Sequence, residues 1–123
     1  MTSVRCLRLR EDCAEPDDMT VDEDRLAEAI RADTVDVIAF GLEGRRYVAV
    51  IDDDGRLTKR ELTVYILDPA MDHPQTVLVG DVLIMREHNG KLLPLSDGDV
   101  DRLTAHIHPV NGRAKLIYPE MSA

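Results

Sequence analysis

The stretch RRYVAVIDDDGRL, residues 45–57, decides the fold. Its residues 47–51 combine an aromatic ring with β-branched side chains, a composition that predicts a strand. Asp52-Asp53-Asp54-Gly55 follows at once. Asp and Gly are typical of tight turns, because Asp bonds nearby backbone groups and Gly adopts a positive φ. The sequence therefore places a strand that ends in an acidic turn at the centre of the fold.

The chain on either side of this strand supplies further strands. Residues 34–42, TVDVIAFGL, are rich in β-branched residues and predict a central strand. Glu43-Gly44 gives a short turn, so residues 45–52 are expected to return beside that strand as a hairpin. After the acidic turn, residues 62–67 predict one more strand.

A second β-rich segment lies in the later half of the chain. Residues 76–86, TVLVGDVLIMR, predict one strand, in which Gly80 marks a bulge or bend with Asp81 turned outward. Asn89-Gly90 is a hairpin signal, and residues 91–95 are expected to form the short returning strand.

The outer segments predict weaker strands and a loop. Residues 4–10 alternate apolar residues with arginines, with a slip near Cys6, and predict a first strand whose arginines face solvent or a sheet edge. Residues 11–19 contain Pro16 and many carboxylates and predict an acidic loop. Residues 114–118 predict an edge strand or a docked tail.

Two segments have helical signals. Thr20 and Glu23 fit a capping box, which predicts a helix that runs to Asp33. Ser96 is the expected N-cap of a second helix over residues 97–108. The apolar positions expected to share a face of either helix are Leu26 and Ile30 in the first, and Val100, Leu103 and Ile107 in the second.

These elements predict a single domain over residues 1–123 of the α+β class. We expect a mostly antiparallel sheet of about five to six strands with two helices packed on one face. The acidic loop of residues 11–19 and a flexible tail over residues 119–123 are expected to lie outside that core.

Composition limits the classes of partner. The net charge of −9 argues against direct contact with nucleic acid or an anionic membrane, and the lack of Trp argues against base stacking. The acidity fits two interpretations: simple solubility, or an acidic face offered to a protein with a basic surface. The candidate members of that partner-binding acidic face are Glu11, Asp12, Glu15, Asp17, Asp18, Asp52, Asp53 and Asp54.

The motifs that would indicate a metal or an enzyme are incomplete. If Gly55 is placed at position six of a calcium loop, Val50 occupies position one, where an oxygen ligand is required. His106 and His108 do not share a helix face, and no cysteine lies at zinc-ligand spacing from them. Cys6 is expected to be buried, and carboxylates near Cys13 should raise its pKa. The sequence therefore predicts no catalytic residue, metal or cofactor.

Two cysteines do not make a disulfide framework in a chain of this length, and no apolar run is long enough to span a bilayer. The first residues also lack the apolar region of a signal peptide. We expect a cytoplasmic, reduced protein.

Three motifs carry a resemblance to a known family: the valine-rich strand and acidic turn of residues 48–57, the Gly-Asp and strand of residues 80–85, and the Leu-Ser-Asp helix start of residues 95–100. Over about residues 21–108 the chain resembles family 3846 of the domains of unknown function, small proteins of bacteria, phages and mobile elements. It departs from that pattern at residues 58–62, TKREL. The resemblance implies an accessory protein of a phage or mobile element and brings no catalytic residues with it.

The leading hypothesis is a non-enzymatic module that binds another protein. One alternative is an acidic DNA mimic that inhibits a host nuclease or defence system, which requires carboxylates spaced like phosphates along one face. Another is a small ligand-binding domain or enzyme, which requires a pocket with converging polar side chains. A homodimer could form through unpaired strand edges at residues 4–10 or 114–118.

Overall fold

The fold consists of two β-sheets and two helices. A computed structural model of the chain describes residues 3–10, 15–42, 44–54, 62–67, 75–111 and 114–117. The strands are β1 (Ser3–Leu9), β2 (Asp17–Asp22), β3 (Val35–Leu42), β4 (Arg45–Asp52), β5 (Leu62–Leu67), β6 (Gln75–Val79), β7 (Val82–His88), β8 (Lys91–Leu93), β9 (Ile107–Asn111) and β10 (Ala114–Ile117). The helices are α1 (Leu26–Ala29) and α2 (Asp97–His106).

The first sheet has six strands, all antiparallel, in the order β2-β1-β7-β4-β3, with β8 paired to β7. A second sheet has the order β6-β5-β10-β9, in which β10 and β5 are parallel. The predicted α+β class is confirmed, and the first sheet matches the expected strand number. The second sheet of four strands is additional to that prediction.

The first sheet is buried on both sides. In β4, Tyr47 and Ala49 contribute to one hydrophobic core, and Val48 and Val50 contribute to another. Because successive side chains of a strand point to opposite faces, the two cores lie on opposite faces of this sheet. We call them the first core, which contains Tyr47, and the second core, which contains Val48. A strand covered on both faces needs an apolar residue at every position, and this explains the unbroken run YVAV.

The two helices lie on opposite faces. Leu103 of α2 packs in the first core, whereas Ile30, which follows α1, packs in the second. The prediction that both helices pack on one face was therefore wrong. The reason is that β4 carries apolar side chains on both faces, so a helix must pack over each face to shield it from water.

Strand order corrects the predicted edges. The strand over residues 4–10 is confirmed as β1, but it lies between β2 and β7, and β10 lies between β5 and β9. Neither strand provides the unpaired edge expected for a homodimer, and the homodimer itself stays a prediction. β3, predicted to be central, stands at the end of the first sheet, next to β4. The slip near Cys6 arises because Cys6 faces the second core and Leu7 the first.

The first predicted helix begins later and is shorter than expected. Thr20 lies in β2, so the predicted capping box does not form. Val21 pairs with Val4 and helps to fill the second core, and this strand pairing outweighs the local helix signal. The turn begins instead at Asp22, whose side chain accepts a hydrogen bond from the Asp24 N–H at 2.9 Å. A short 3-10 turn and the four residues of α1 follow.

The segment over residues 76–86 forms two strands in different sheets. Gly80, at φ +76°, turns the chain between β6 and β7, which confirms a bend at this position. Asp81 does not turn outward. It is 1% exposed, and Arg31 donates to both of its oxygens, from Nε at 2.9 Å and Nη2 at 3.1 Å. Burial beside a guanidinium satisfies a carboxylate that the sequence alone assigns to solvent.

Two later predictions hold with small changes. Asn89 and Gly90 both have positive φ and join β7 to β8, as expected of an Asn-Gly hairpin. Ser96 is the N-cap of α2, but the helix ends at His106 because Ile107 begins β9. Ile107 still packs against the first core. The tail predicted over residues 119–123 lies outside the described residues.

Candidate functional site

Two members of the predicted acidic face, Asp17 and Asp18, are paired with arginines of the same chain. Arg5 donates to both oxygens of Asp18, from Nε at 3.0 Å and Nη2 at 2.8 Å. This hydrogen bonding holds the pKa of Asp18 below its usual value. Asp17 Oδ2 forms ion pairs with two arginines, and it lies 3.1 Å from Arg8 Nη2 and 3.1 Å from Arg10 Nε. Asp17 and Asp18 therefore stabilise the β1–β2 edge, and little of their charge is left for a partner.

The first residue of the acidic turn, Asp52, has a structural role. Asp52 is 8% exposed, and its carboxylate accepts a hydrogen bond from the Asp54 N–H at 2.9 Å. The Asp53 N–H donates to Thr34 O at 3.1 Å, which ties the turn to the start of β3. Gly55 lies outside the described residues. Within the described ranges there is no group of three or more His, Cys, Asp or Glu residues that could hold a metal ion.

The acidic candidates fall at one end of the first sheet but do not form a continuous row. The β2 pair and the end of β4 are separated by β1 and β7, about 14 Å at the usual strand spacing. Arg8 lies on β1 between them, and Arg10 directly follows that strand. Glu15 and Asp53 are exposed, while Glu11 and Asp12 lie outside the described part. This spacing does not favour a DNA mimic.

Cys6 faces the second core and is fully buried. Burial raises the pKa of its thiol to about 11, so the thiolate needed for nucleophilic chemistry is scarce at neutral pH. His106 ends α2 and His108 lies in β9, so they belong to different elements. Cys13 lies outside the described residues.

Asp99 is a buried carboxylate with several hydrogen-bond partners. It is 0% exposed and lies at the third position of α2, where Ser96 and Asp99 form a capping box. Asp99 Oδ2 accepts hydrogen bonds from the Ser96 N–H and hydroxyl, both at 2.9 Å. Asp99 Oδ1 accepts from the Tyr47 hydroxyl at 2.7 Å and from Arg102 Nη1 at 3.2 Å.

Three arginines converge on this carboxylate from three elements. Arg102 comes from α2, Arg45 from β4 with Nη1 3.9 Å from Oδ1, and Arg86 from β7 with Nε 3.8 Å from Oδ2. We call these three residues the arginine cluster. Their side chains are 22%, 49% and 38% exposed, so they link the buried carboxylate to the surface.

Sequence reasoning missed the arginine cluster. Its members lie far apart in the chain, and only the strand order brings β4 beside β7. The single available signal was the Ser96-x-x-Asp99 spacing, since it places a carboxylate at the start of α2.

β3 presents a second feature, the side of the strand that faces away from β4. Val37 is 44% exposed and is the one exposed large hydrophobic residue recorded in the described part. Its N–H donates to Asp36 Oδ1 at 2.8 Å and so points away from β4. Because successive N–H groups of a strand point to opposite sides, the N–H of Ala39 also points outward. We call this side, over residues 35–40, the outer edge of β3.

No family model, curated protein or solved structure matches this chain. The resemblance to family 3846 therefore stays a prediction. Neither described helix has the length and apolar composition that crossing a membrane requires. A cytoplasmic location also stays a prediction.

Proposed function

We propose that this chain is a non-enzymatic binding module that contacts another protein, and that the contact is made at the outer edge of β3. The observation that carries this proposal is the pairing of β3 with β4 alone among the described strands. An outer edge with outward N–H groups can accept an additional strand through main-chain hydrogen bonds. The exposed Val37 offers such a strand an apolar contact.

Charge at the two ends of β3 defines the kind of partner. Asp33, Asp36 and Asp53 are exposed near its first residues. At its other end, Gly41 and Leu42 pair with Arg46 and Arg45, which are also exposed. The partner that fits is an extended segment with apolar residues in the middle and basic residues at the end that meets the aspartates. The proposed partner is therefore still a protein with a basic surface, and the proposed contact lies on one strand, β3.

The resemblance to family 3846 supports an accessory role for this module in a phage or mobile element. Within the described part, the buried carboxylates of Asp52, Asp81 and Asp99 each have structural partners. That arrangement favours a binding protein over an enzyme.

The test compares the wild-type protein with two variants at Ala39, the residue whose backbone N–H points away from β4. Ala39→Pro removes the outward N–H and leaves the β3–β4 ladder intact, whereas Ala39→Val keeps the N–H. The wild type and the two variants are each used as bait in a lysate of the source organism, at low and at moderate salt. A protein captured by wild type and Ala39→Val, and lost with Ala39→Pro, supports the proposal. Capture of the same proteins by all three baits, or of none at either salt, contradicts it.

Hydrogen exchange on the captured complex locates the contact. We expect added protection of the Ala39 amide, because a partner strand would accept a hydrogen bond from it. Protection confined to other strands would overturn the assignment to β3.

A further inference from the structure

We infer that Asp36 selects the strand that docks at the outer edge of β3. The partner strand carries a Lys or Arg side chain opposite Asp36 and apolar side chains at the alternate positions. This inference rests on the proposed function, because it describes the partner of the same edge. It starts from a contact within β3: Asp36 Oδ1 accepts a hydrogen bond from the Val37 N–H at 2.8 Å. One outward donor of β3 is therefore already bonded to a carboxylate of its own strand.

An added strand has to displace this carboxylate. The place that a partner carbonyl would take, in line with the Val37 N–H, is where Asp36 Oδ1 lies. A hydrogen bond to an ionised carboxylate is roughly twice as strong as one to a neutral carbonyl. The exchange is unfavourable for a neutral strand, since the N–H takes a weaker acceptor and the carboxylate is left with water. A cation on the incoming strand reverses this balance, because it gives the displaced carboxylate a new partner.

Asp36 is open to such a cation. Asp17, Asp18 and Asp81 are each held by an arginine of the same chain. Asp36 is exposed, and within the described ranges it forms no ion pair. A lysine or arginine of another chain can therefore approach Asp36 without displacing a basic residue of this one.

A second exposed carboxylate adds to the negative charge near Asp36. Asp36 lies opposite Ile51 of β4, and the Asp53 N–H bonds Thr34 O. Asp53 is therefore a diagonal neighbour of Asp36 across the two strands, about 7–8 Å away at the usual sheet geometry. It too is without an ion pair among the residues that the structure describes. Two neighbouring negative charges attract a cation more strongly than one does.

The opposite face of β3 determines the apolar part of the pattern. Val35 and Ala39 pack against the second core, and Val37, which lies opposite Val50, is 44% exposed on the same face. Asp36 projects from the other face, because successive side chains of a strand alternate. A strand paired with β3 alternates in the same way, so its apolar residues lie beside Val37 and its cation beside Asp36. A shift of one residue would place the cation against Val37.

Three synthetic peptides, capped at both ends, test this selection. The first is Val-Ser-Val-Lys-Val-Ser-Val, and the second has Gln in place of Lys. The third, Val-Ser-Lys-Val-Val-Ser-Val, has the composition of the first with the Lys moved to the other face. Each is titrated into the isotope-labelled full chain, and the amide signal of Ala39 is followed by NMR. We expect the first peptide to bind about threefold to fivefold more tightly than either of the others, which is the effect of a cross-strand ion pair.

Variants of the chain assign this preference to Asp36. Asp36→Asn keeps an acceptor for the Val37 N–H and loses the charge, so the preference for Lys over Gln should disappear. Asp36→Ala frees the Val37 N–H, so the Gln peptide should bind this variant more tightly than the wild type, at a concentration at which both are monomeric. Asp33→Asn is the matched control, because Asp33 is exposed and precedes β3. It should keep the preference for Lys. Unchanged melting temperatures show that the variants are folded.

Equal binding of the Lys and Gln peptides to the wild type, with the Ala39 amide shifted by both, would overturn this inference and leave the proposed contact at β3 standing. A preference for Lys that persists in Asp36→Asn, or that is lost equally in Asp33→Asn, would also overturn it. So would a Gln peptide that binds Asp36→Ala no more tightly than the wild type. An Ala39 amide that no peptide shifts, in the wild type or in Asp36→Ala, would contradict docking at β3 itself.

Discussion

The carboxylate of Asp99 is buried and still has a lowered pKa. Burial by itself raises the pKa of a carboxyl group, because it penalises the charged form. Here the hydrogen bonds from Ser96 and Tyr47, together with the charge of Arg86, outweigh that penalty. Asp99 therefore stays ionised, and its charge holds the start of α2 against β4 and β7.

The Tyr47 hydroxyl should contribute measurably to stability. Tyr47→Phe removes a donor to Asp99 and an acceptor for Arg102 in a buried position. We expect a loss of about 1–3 kcal/mol in the free energy of unfolding, measured by urea denaturation. Asp101→Asn, at an exposed site of the same helix, is the control and should change it by less than about 0.5 kcal/mol. A Tyr47→Phe variant as stable as that control would contradict the network.

Acid should destabilise the protein through the same carboxylate. The folded pKa of Asp99 lies below its unfolded value of about 3.9, so its contribution is fully present above that pH and is lost as the pH falls through the folded pKa. Asp18 acts in the same direction, because its bond with Arg5 lowers its pKa.

Urea denaturation between pH 7 and pH 3 measures this dependence. The fall in stability below about pH 4 should be smaller in Asp99→Asn than in the wild type, since Asn does not titrate. Identical slopes in the two proteins would show that Asp99 is not involved.

Cys6 should be inert in the folded protein. Its thiol is buried and its pKa is raised to about 11, so little thiolate is present at neutral pH. In a Cys13→Ser variant, where Cys6 is the remaining thiol, labelling by a disulfide reagent should be at least about a hundredfold slower in buffer than in urea. Equal rates would mean that Cys6 is accessible.

At the level of single elements, the two helix starts predicted from the sequence, at Thr20 and at Ser96, can be compared directly. Ser96→Ala removes a hydroxyl that bonds the Asp99 N–H at 3.1 Å and the Asp99 carboxylate at 2.9 Å. We expect a loss of about 1 kcal/mol, within the range of about 0.5–2 kcal/mol for N-caps. Thr20→Ala should cost less than half as much, because Thr20 is an exposed strand residue and caps nothing. Equal losses in thermal or urea melts would contradict this difference.

The same pair shows why sequence predicts one helix and misplaces the other. Both segments carry the local signal, but Val21 is also required opposite Val4 in the second core. Propensity differences are a few tenths of a kcal/mol per residue, whereas burial of a Val side chain contributes about 1.5–3 kcal/mol. No such competing requirement exists at Ser96, so the local signal there is sufficient.

At the level of the whole molecule, Asp36 should limit self-association. Its carboxylate takes the outward N–H of Val37 and places a charge on the outer edge of β3. Edge charges discourage pairing with a second copy of a strand. Asp36→Ala should therefore raise the dimer fraction in analytical ultracentrifugation, with Asp33→Ala, exposed and outside β3, as the control. An unchanged monomer fraction in both variants would show that Asp36 has no such role.

Strand positions follow from local sequence, and strand order does not. Alternation, Asn89-Gly90 and the run of β-branched residues mark where strands begin and end. The placement of β1 beside β7 depends on two segments more than seventy residues apart in the chain, which no local pattern encodes. That pairing decides that β3 is an edge, and the β4–β7 pairing brings Arg45 and Arg86 together. Both the outer edge of β3 and the arginine cluster depend on this long-range information.

The central position of β7 also sets the timing of assembly during synthesis. β1 with β2, and β3 with β4, are hairpins that the first 52 residues already contain. The strand that joins them is made only after residue 81, and a ribosome adds about 5–20 residues per second. For several seconds both hairpins are present with unpaired sides and uncovered apolar faces. When β7 arrives, it pairs with the open sides of both hairpins, and β8 is then added beside β7 to complete the first sheet.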